Sequence, residues 1–385
     1  MARPYTMSKK IKHLGMRVLM NAMRLFPVDR NKVVICNYFG KGYGDNGKAI
    51  AESLHAMNPK LDIVWAVRPE FADTLPAYIR GVDYAGLAFL WEMATAGAWV
   101  DNCRKNPGFV KRKGQFYVQT WHGTTALKRI EGDVAEHLDE FYVAGSKHDS
   151  QMADVILSGC RFFTELCRRA FWYDGEILEC GSPRSDALFH SDEVTRKKVR
   201  DALGIPADKK IVLYAPTFRG GENMDCYRMD FDGVLKTLEE KTGDQWVFAV
   251  RLHPNVSDKA GFIQYSDRIV NGTNYPDLYE MLPVCDFVIS DYSSVMFDGG
   301  LIGKPVMLFA TDVQEYTADR NFYFDITNMP FALAQSNAEL LSNIAAFDAD
   351  LYQQNLRRFH DEIGYCENGT ASDTVAKRIL EELHG

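Results

Sequence analysis

Short apolar runs alternate with amphipathic stretches along almost the whole chain. Lys32–Cys36, Leu61–Val67, Gln115–Thr120, Glu140–Ala144, Ile211–Tyr214, Trp246–Val250, Asp286–Ser290 and Pro305–Phe309 are brief and rich in β-branched or aromatic residues. Runs of this kind read as buried strands, and the longer stretches between them as helices. Strands that alternate with helices build βα units and parallel sheets. A polar segment, Ser191–Arg200, separates the first group of strands from the second, and helical patterns between Asn337 and Leu383 close the chain. With 385 residues the chain exceeds what one core usually organises. The expected class is therefore α/β, with two doubly wound, Rossmann-like domains facing one another. The pattern divides as 1–27, an arm; 28–200, the first domain; 201–345, the second; and 346–385, closing helices.

The arm is unlike the rest. Residues 1–32 carry eight basic side chains, Arg3, Lys9, Lys10, Lys12, Arg17, Arg24, Arg30 and Lys32, against the single acid Asp29. Ile11, Leu14, Val18, Ala22 and Leu25 recur at helical spacing, with Met16, Leu19, Met20, Met23 and Phe26 widening the apolar side before Pro27 stops the helix. Two readings stand: a helix packed on its own domain, or an interfacial helix lying on an anionic leaflet with its cations at the headgroups. Arg17 and Arg24 interrupt the apolar stretch, so it is not a signal peptide. No run of 18 apolar residues occurs, so no membrane span is expected. The formal net charge of −8 argues against a nucleic-acid-coating surface. Eight cysteines are scattered without a CxxC pair, the usage of a reducing compartment.

Ligands of open α/β sheets collect at the carboxyl ends of strands, and the candidate chemistry sits there. Gln119-Thr-Trp-His-Gly-Thr124 ends a strand with His122 beside the bare backbone of Gly123, followed by Thr124. Arg251-Leu-His253 puts two cationic groups on one face of another strand end, since i and i+2 point together. Asp286–Ser290 opens into Asp291-Tyr-Ser-Ser294, where Ser293 and Ser294 stand in the first turn of a helix. They either cap that helix or, with its amides and dipole, hold a phosphate. Asp298, one turn on, either accepts from substrate hydroxyls or caps a loop. Thr217 and Arg219 precede a flexible glycine pair and can clasp a phosphate. A lone histidine is more often structural than catalytic. If phosphoryl transfer to a hydroxyl is the reaction, His122 suits the base, and His253, Arg251 and the Ser293–Ser294 turn suit the developing charge. There is no Walker loop, no GxGxxG after a strand, no HExxH and no DxD-like cluster at a strand end, so neither a cofactor nor a catalytic metal is expected.

These motifs, in this order, resemble the CDP-glycerol glycerophosphotransferase family, which builds teichoic acids and related polyol-phosphate polymers. The likeness runs through Tyr38-Phe-Gly-Lys-Gly-Tyr-Gly-Asp-Asn46, Trp99-Val-Asp-Asn102, Gln119–Thr124, Gly181-Ser-Pro-Arg-Ser-Asp186, Tyr214–Arg219, Arg251–Pro254, Ser290–Asp298 and Arg320–Asp325. It implies a GT-B-like fold around a central cleft, an acceptor-side first domain and a donor-binding second domain. It also implies CDP-glycerol or another CDP-polyol as donor, CMP as product and no required metal. Carried over, His122 becomes the base, and His253, Ser293, Ser294 and Asp298 the donor pocket. The implied acceptor is a glycan linked to a membrane lipid such as undecaprenyl diphosphate, and the implied location is peripheral, on the cytoplasmic face of the membrane. Thr125-Ala126 and Gly299-Gly300 depart from the family's usual wording. The chain resembles the compact, priming form, with a compact polymerase as the other option. Two other classes stay open: a GT-B glycosyltransferase using a nucleotide sugar, and a non-catalytic membrane-surface binding protein. Glycerol against ribitol is undecided, and nothing assigns an oligomeric state.

Overall fold

A computed structural model describes residues 7–123, 125–219, 224–253, 256, 261–319 and 321–385. They form two compact units: Met1–Thr124, Ile130–Asp186 and Gly364–Gly385 in the first, Thr125–Arg129 and Ala187–Ile363 in the second.

The first unit is built on a seven-stranded sheet of β1 (Asp29–Cys36), β2 (Asp62–Val67), β3 (Arg80–Asp83), β4 (Ala96–Asp101), β5 (Phe116–Gln119), β6 (Val155–Ser158) and β7 (Glu176–Glu179). The order is β3-β2-β1-β4-β5-β6-β7 and all pairs are parallel. Alternate side chains of β1 feed opposite layers, as the pleat requires. Val33 and Ile35 pack with Ile50 and Leu54 of helix α2 (Asp45–Met57) and with Val375, Ile379 and Leu383 of the helix Ala371–His384. Val34 and Cys36 pack with Phe89, Leu90 and Met93 of helix α3 (Leu87–Thr95) and with Met20 of helix α1 (Met7–Met23).

Helix α1 packs on the first unit along one side. It docks by Met16, Leu19, Met20 and Met23, and leaves Ile11, Leu14 and Val18 more than 60% exposed. Arg24 and Arg112 tie its end down by donating to the carbonyls of Lys111 and Phe26, at 3.2 and 2.9 Å. No helix among the described residues is long and apolar enough to cross a membrane.

The second unit carries a six-stranded parallel sheet, ordered β10-β9-β8-β11-β12-β13. Its strands are β8 (Lys210–Tyr214), β9 (Trp246–Val250), β10 (Ile269–Asn271), β11 (Phe287–Ser290), β12 (Val306–Phe309) and β13 (Ala332–Ala334). Val212, Tyr214, Phe248, Ile289 and Phe309 form its core with Val234 and Leu238 of the helix Phe231–Thr242. Two doubly wound parallel sheets are thus present, as the alternation predicts.

Several expectations need correction. Glu140–Ala144 is not a strand but the start of helix α4 (Glu140–Met152). The Asp139 carboxylate accepts from the amides of Phe141 and Tyr142 at 2.8 and 3.3 Å, an N-cap that outweighs the β preference of Phe-Tyr-Val. The helix buries Gly145, Ser146, Asp149, Ser150 and Met152, with only the last a large apolar residue, so no apolar period marks it. The units divide after Asp186 and not near 200. Ser191–Arg200 is largely a capped helix, Glu193–Leu203, with the Asp192 side chain on Thr195 N and Gly204 in the left-handed conformation at its end. Lys198 pairs with Glu280 at 2.6 Å, holding this helix to the second unit. The closing segment is split: Ala349–Ile363 stays with the second unit, and Ala371–His384 returns to the first, packed on α2.

Candidate active site

In each sheet the strand order reverses once, between β1 and β4 in the first unit and between β8 and β11 in the second. The crevice beyond the carboxyl ends at such a reversal is where doubly wound sheets bind ligands. Both are occupied by dense polar groups.

In the first unit β1 runs into Asn37 and Tyr38, β4 into Asn102, and β5 into Thr120, Trp121 and His122. The half-buried His122 ring stacks on Trp121, with centroids 4.3 Å apart, and tilts against Tyr38 at 5.8 Å. Its Nδ1 lies 2.9 Å from the backbone carbonyl of Asn102. A carbonyl can only accept, so in the neutral ring Nδ1 carries the hydrogen and Nε2 the lone pair. Burial pushes the pKa of His122 below the ordinary histidine value. The Asn102 carbonyl opposes that shift, Arg184 reinforces it, and the charges of Asp45 and Glu131 oppose it. The ring is therefore a neutral imidazole at neutral pH, the form a general base needs. Gly123 follows, half-buried, while Thr124 lies outside the described residues.

Reading the strand ends misses what surrounds His122. Asn102 Nδ2 donates to Asn37 Oδ1 and, at 3.2 Å, to Asp45 Oδ1, while its Oδ1 accepts from Tyr38 N at 2.9 Å. Asp45 Oδ2 accepts from Arg184 Nη1 at 2.7 Å and from the Tyr38 hydroxyl at 2.9 Å. Asn46 donates to the carbonyl of Trp121 at 3.0 Å and accepts from Ser182 Oγ and Arg184 N at 2.9 and 3.0 Å. All these residues but Asn37 fall in segments that carry the resemblance, which is the signal by which they could have been found.

In the second unit the buried carboxylate of Asp291, just past β11, organises the reversal. It accepts from Thr217 N and Oγ1 at 2.8 and 2.6 Å, and from Arg219 Nη1 at 2.5 Å. Arg219 also donates Nη1–H to the carbonyl of Thr217 at 2.7 Å, and Nε and Nη2 to Asp312 at 2.9 and 3.1 Å. Its guanidinium lies over Tyr292 and Tyr316, 4.8 and 5.0 Å from the centroids. Burial alone would raise Asp312, but Arg219 more than offsets it and holds the carboxyl below its usual range. Thr217 and Arg219 are thus bound to internal carboxylates. Four of the five guanidinium N–H groups are engaged.

Arg251 differs. Its hydrogen bonds run to the carbonyls of Gly272, at 3.2 Å, and Tyr275, which satisfy N–H groups without neutralising the charge. Burial lowers its pKa, and Asp277 opposes that shift. His253 is exposed, its ring 5.2 Å from Phe218. Ser293 Oγ accepts from Val295 N at 3.4 Å, the cap reading, whereas Ser294 is exposed at the N-cap of the helix Val295–Leu301 and makes no side-chain cap bond. Asp298 is buried and accepts from the Tyr279 hydroxyl at 2.9 Å. A Cβ at Gly299 or Gly300 would stand 3.0 Å from Val306 or 3.1 Å from Phe331, so the glycine pair lets this helix lie close on its neighbours.

Comparison with known proteins identifies the family and the fold. Residues 18–381 match the family profile described as CDP-Glycerol:Poly(glycerophosphate) glycerophosphotransferase. The chain is 30% identical over 370 residues to the teichoic acid poly(glycerol phosphate) polymerase of Staphylococcus epidermidis, covering 91% of this chain and 50% of that protein. It thus spans about half the length of that relative. It is 29% identical to the teichoic acid poly(glycerol phosphate) polymerase of Bacillus spizizenii, covering 96% of this chain and 95% of that one. Among solved structures, the wall teichoic acid polymerase TagF superposes with a TM-score of 0.82 at 29% identity, covering 98% of this chain and 97% of that chain. A variant of TagF soaked with CDPG gives 0.80 at 27% identity, with the same coverage. The Staphylococcus aureus MnaA–UDP structure, at 15% identity and a TM-score of 0.55 over 91% of this chain and 97% of that one, shares the fold.

Proposed function

Because the chain belongs to the CDP-glycerol:poly(glycerophosphate) glycerophosphotransferase family, we propose that it transfers glycerol phosphate, or a related polyol phosphate, from CDP-glycerol to an acceptor hydroxyl and releases CMP. The observation that carries this reading is His122, a neutral imidazole whose Nδ1 is held by a carbonyl. Nε2 takes the acceptor proton as the hydroxyl oxygen attacks the glycerol-bearing phosphorus. The bond from that phosphorus to the bridging oxygen breaks, and CMP leaves with the electron pair. Developing charge on the non-bridging oxygens needs cations and dipoles. Arg251, His253, Ser294 and Ser293 are assigned to that task, with Thr217, Arg219 and Asp298 shaping the donor side. Gly123 and Thr124 are assigned to the acceptor side.

The acceptor in this reading is a polyol-phosphate or glycan end carried on a membrane lipid, in teichoic-acid or capsule-type polymer synthesis. The enzyme then works as a peripheral protein on the cytoplasmic leaflet. The exposed Ile11, Leu14 and Val18 of α1, flanked by Lys9, Lys10, Lys12 and Arg17, support that placement.

The test is product analysis. The full chain is incubated with CDP-glycerol, CDP-ribitol or a UDP-sugar, each with a lipid-linked disaccharide that ends in glycerol phosphate. CMP release from CDP-glycerol that requires the acceptor, and that falls by ~10²–10⁴-fold in His122→Ala, is the expected result. Transfer from the UDP-sugar alone would make the protein a glycosyltransferase.

A further inference from the structure

We infer that Asp45 and Asn46, at the start of α2, act with Asn102 as a clamp that fixes the tautomer and orientation of His122. The inference rests on the assignment of His122 as the base, and it identifies positioning residues that touch no substrate.

The argument begins with two consecutive residues gripping one short segment from two sides. Asp45 Oδ1 accepts from the Asn102 side chain, and the Asn102 backbone carbonyl meets His122 Nδ1. Asn46 Nδ2 donates to the carbonyl of Trp121, the residue just before His122. Both grips are anchored from behind. Arg184 pairs with Asp45 at 2.7 Å, with both side chains only 8% exposed, while its backbone amide and Ser182 Oγ hold Asn46 Oδ1. The amide of Asn46 and the Tyr38 hydroxyl complete the donors to the Asp45 carboxylate, at 2.8 and 2.9 Å.

The backbone points the same way. Tyr38, Phe39, Asp45 and Trp121 have φ of 42, 59, 55 and 52°. They are four of the six described non-glycine residues in the left-handed region, the others being Glu131 and Trp172. Such conformations are unfavourable for residues with a Cβ and persist where the surroundings over-determine them, commonly at functional sites. A buried ion pair by itself adds little net stability, because desolvation offsets attraction; its better-supported use is to fix geometry. Here it fixes Asn102, whose carbonyl decides which nitrogen of His122 carries the hydrogen. A base in the wrong tautomer has no lone pair where the acceptor proton must go.

The charges that face His122 give the clamp a measurable signature. Asp45 and Glu131 raise its pKa, Arg184 and burial lower it, and the Asn102 carbonyl raises it. Tyr38, beside Asp45, is pushed well above its ordinary value by burial and stays neutral. Asp45→Asn removes a raising charge and leaves Arg184 in place, so the acid limb of the rate profile moves to lower pH. Arg184→Gln moves it to higher pH.

The experiment uses the full chain with CDP-glycerol and a soluble acceptor ending in glycerol phosphate. Asp45→Asn and Asn46→Ala are expected to lower kcat at least about tenfold, short of the ~10²–10⁴-fold lost with the base itself, and to leave KM for CDP-glycerol within about twofold. Nitrogen-15 NMR of the histidines should report one Nδ1–H tautomer for His122 in the native chain and a mixture in the variants. A merely structural role would reduce the folded fraction without changing the kcat of the folded enzyme or the tautomer. If Asp45→Asn does not fold, Tyr38→Phe, which removes one hydrogen bond to Asp45 and no charge, carries the kcat and tautomer readouts. Folded variants with unchanged kcat and tautomer would overturn the clamp. Near-normal turnover by His122→Ala would instead overturn the base, and the tautomer measurement separates the two failures.

Discussion

Removing the Arg219 guanidinium should loosen the second unit before it affects the substrate. In Arg219→Ala, Asp312 loses both its hydrogen bonds from the guanidinium, and Asp291, 1% exposed, loses its only ion-pair partner among the described residues. Breaking a buried pair by deleting one partner costs about 3–5 kcal/mol, because a charge is left without compensation. Asp291 keeps three donors, Thr217 N, Thr217 Oγ1 and Tyr292 N at 2.8, 2.6 and 2.6 Å, which places the loss at the lower end, about 3 kcal/mol. At 1.4 kcal/mol per tenfold, that is a rise of about 10²-fold in the opening equilibrium. Hydrogen exchange read by mass spectrometry isolates the effect. Peptides covering β8 and β11 should exchange about 10²-fold faster, while β1 and β4 of the first unit serve as an internal control and stay unchanged. The neutral pair Arg219→Met with Asp291→Asn should recover part of the protection, because no buried charge remains between those two positions. Unchanged exchange in β8 and β11, together with a ten- to hundredfold loss of CDP-glycerol affinity, would refute this account and make Arg219 a direct phosphate ligand.

Three further outcomes are expected. The kcat/KM profile should rise with pH along an acid limb centred below the ordinary histidine value of 6.5, since burial depresses His122 and only its neutral form can take a proton; a limb centred above pH 7 would assign the base to another group. Arg251→Gln should weaken CDP-glycerol binding by about tenfold to a hundredfold in calorimetry, because charge-assisted contacts are worth roughly 1.5–3 kcal/mol; unchanged affinity would move the pyrophosphate away from this guanidinium. Leu14→Glu with Val18→Glu, on the exposed face of α1, should leave thermal unfolding and activity on a soluble acceptor unchanged but abolish sedimentation with anionic vesicles, an effect that high salt should mimic. Retained sedimentation would make α1 a structural helix only.

Strand-end chemistry was legible because an apolar run that stops at a histidine, a serine pair or an arginine marks where a parallel sheet presents its carboxyl edge. The neighbouring strand β4 was not, although it lies beside β1 and delivers Asn102. Helix α3 ends at Thr95 and β4 begins at Ala96 with no intervening turn, so the period changes from helix to strand inside one apolar stretch. Partners were harder still. Arg219 looks like an unoccupied anion clasp in sequence because the carboxylates that engage it are 72 and 93 residues away. Arg184 and Asp45 are separated by 139 residues and meet only because the turn Pro183–Ser185, which follows the edge strand β7, packs on α2. A doubly wound sheet gathers its polar edge from every strand it contains. Residue type and strand position therefore identify the groups placed for chemistry, and only the fold determines which of them are already bound to one another. That distinction separates Arg251, whose hydrogen bonds end on carbonyls and leave its charge in place, from Arg219, whose charge is already met by two carboxylates.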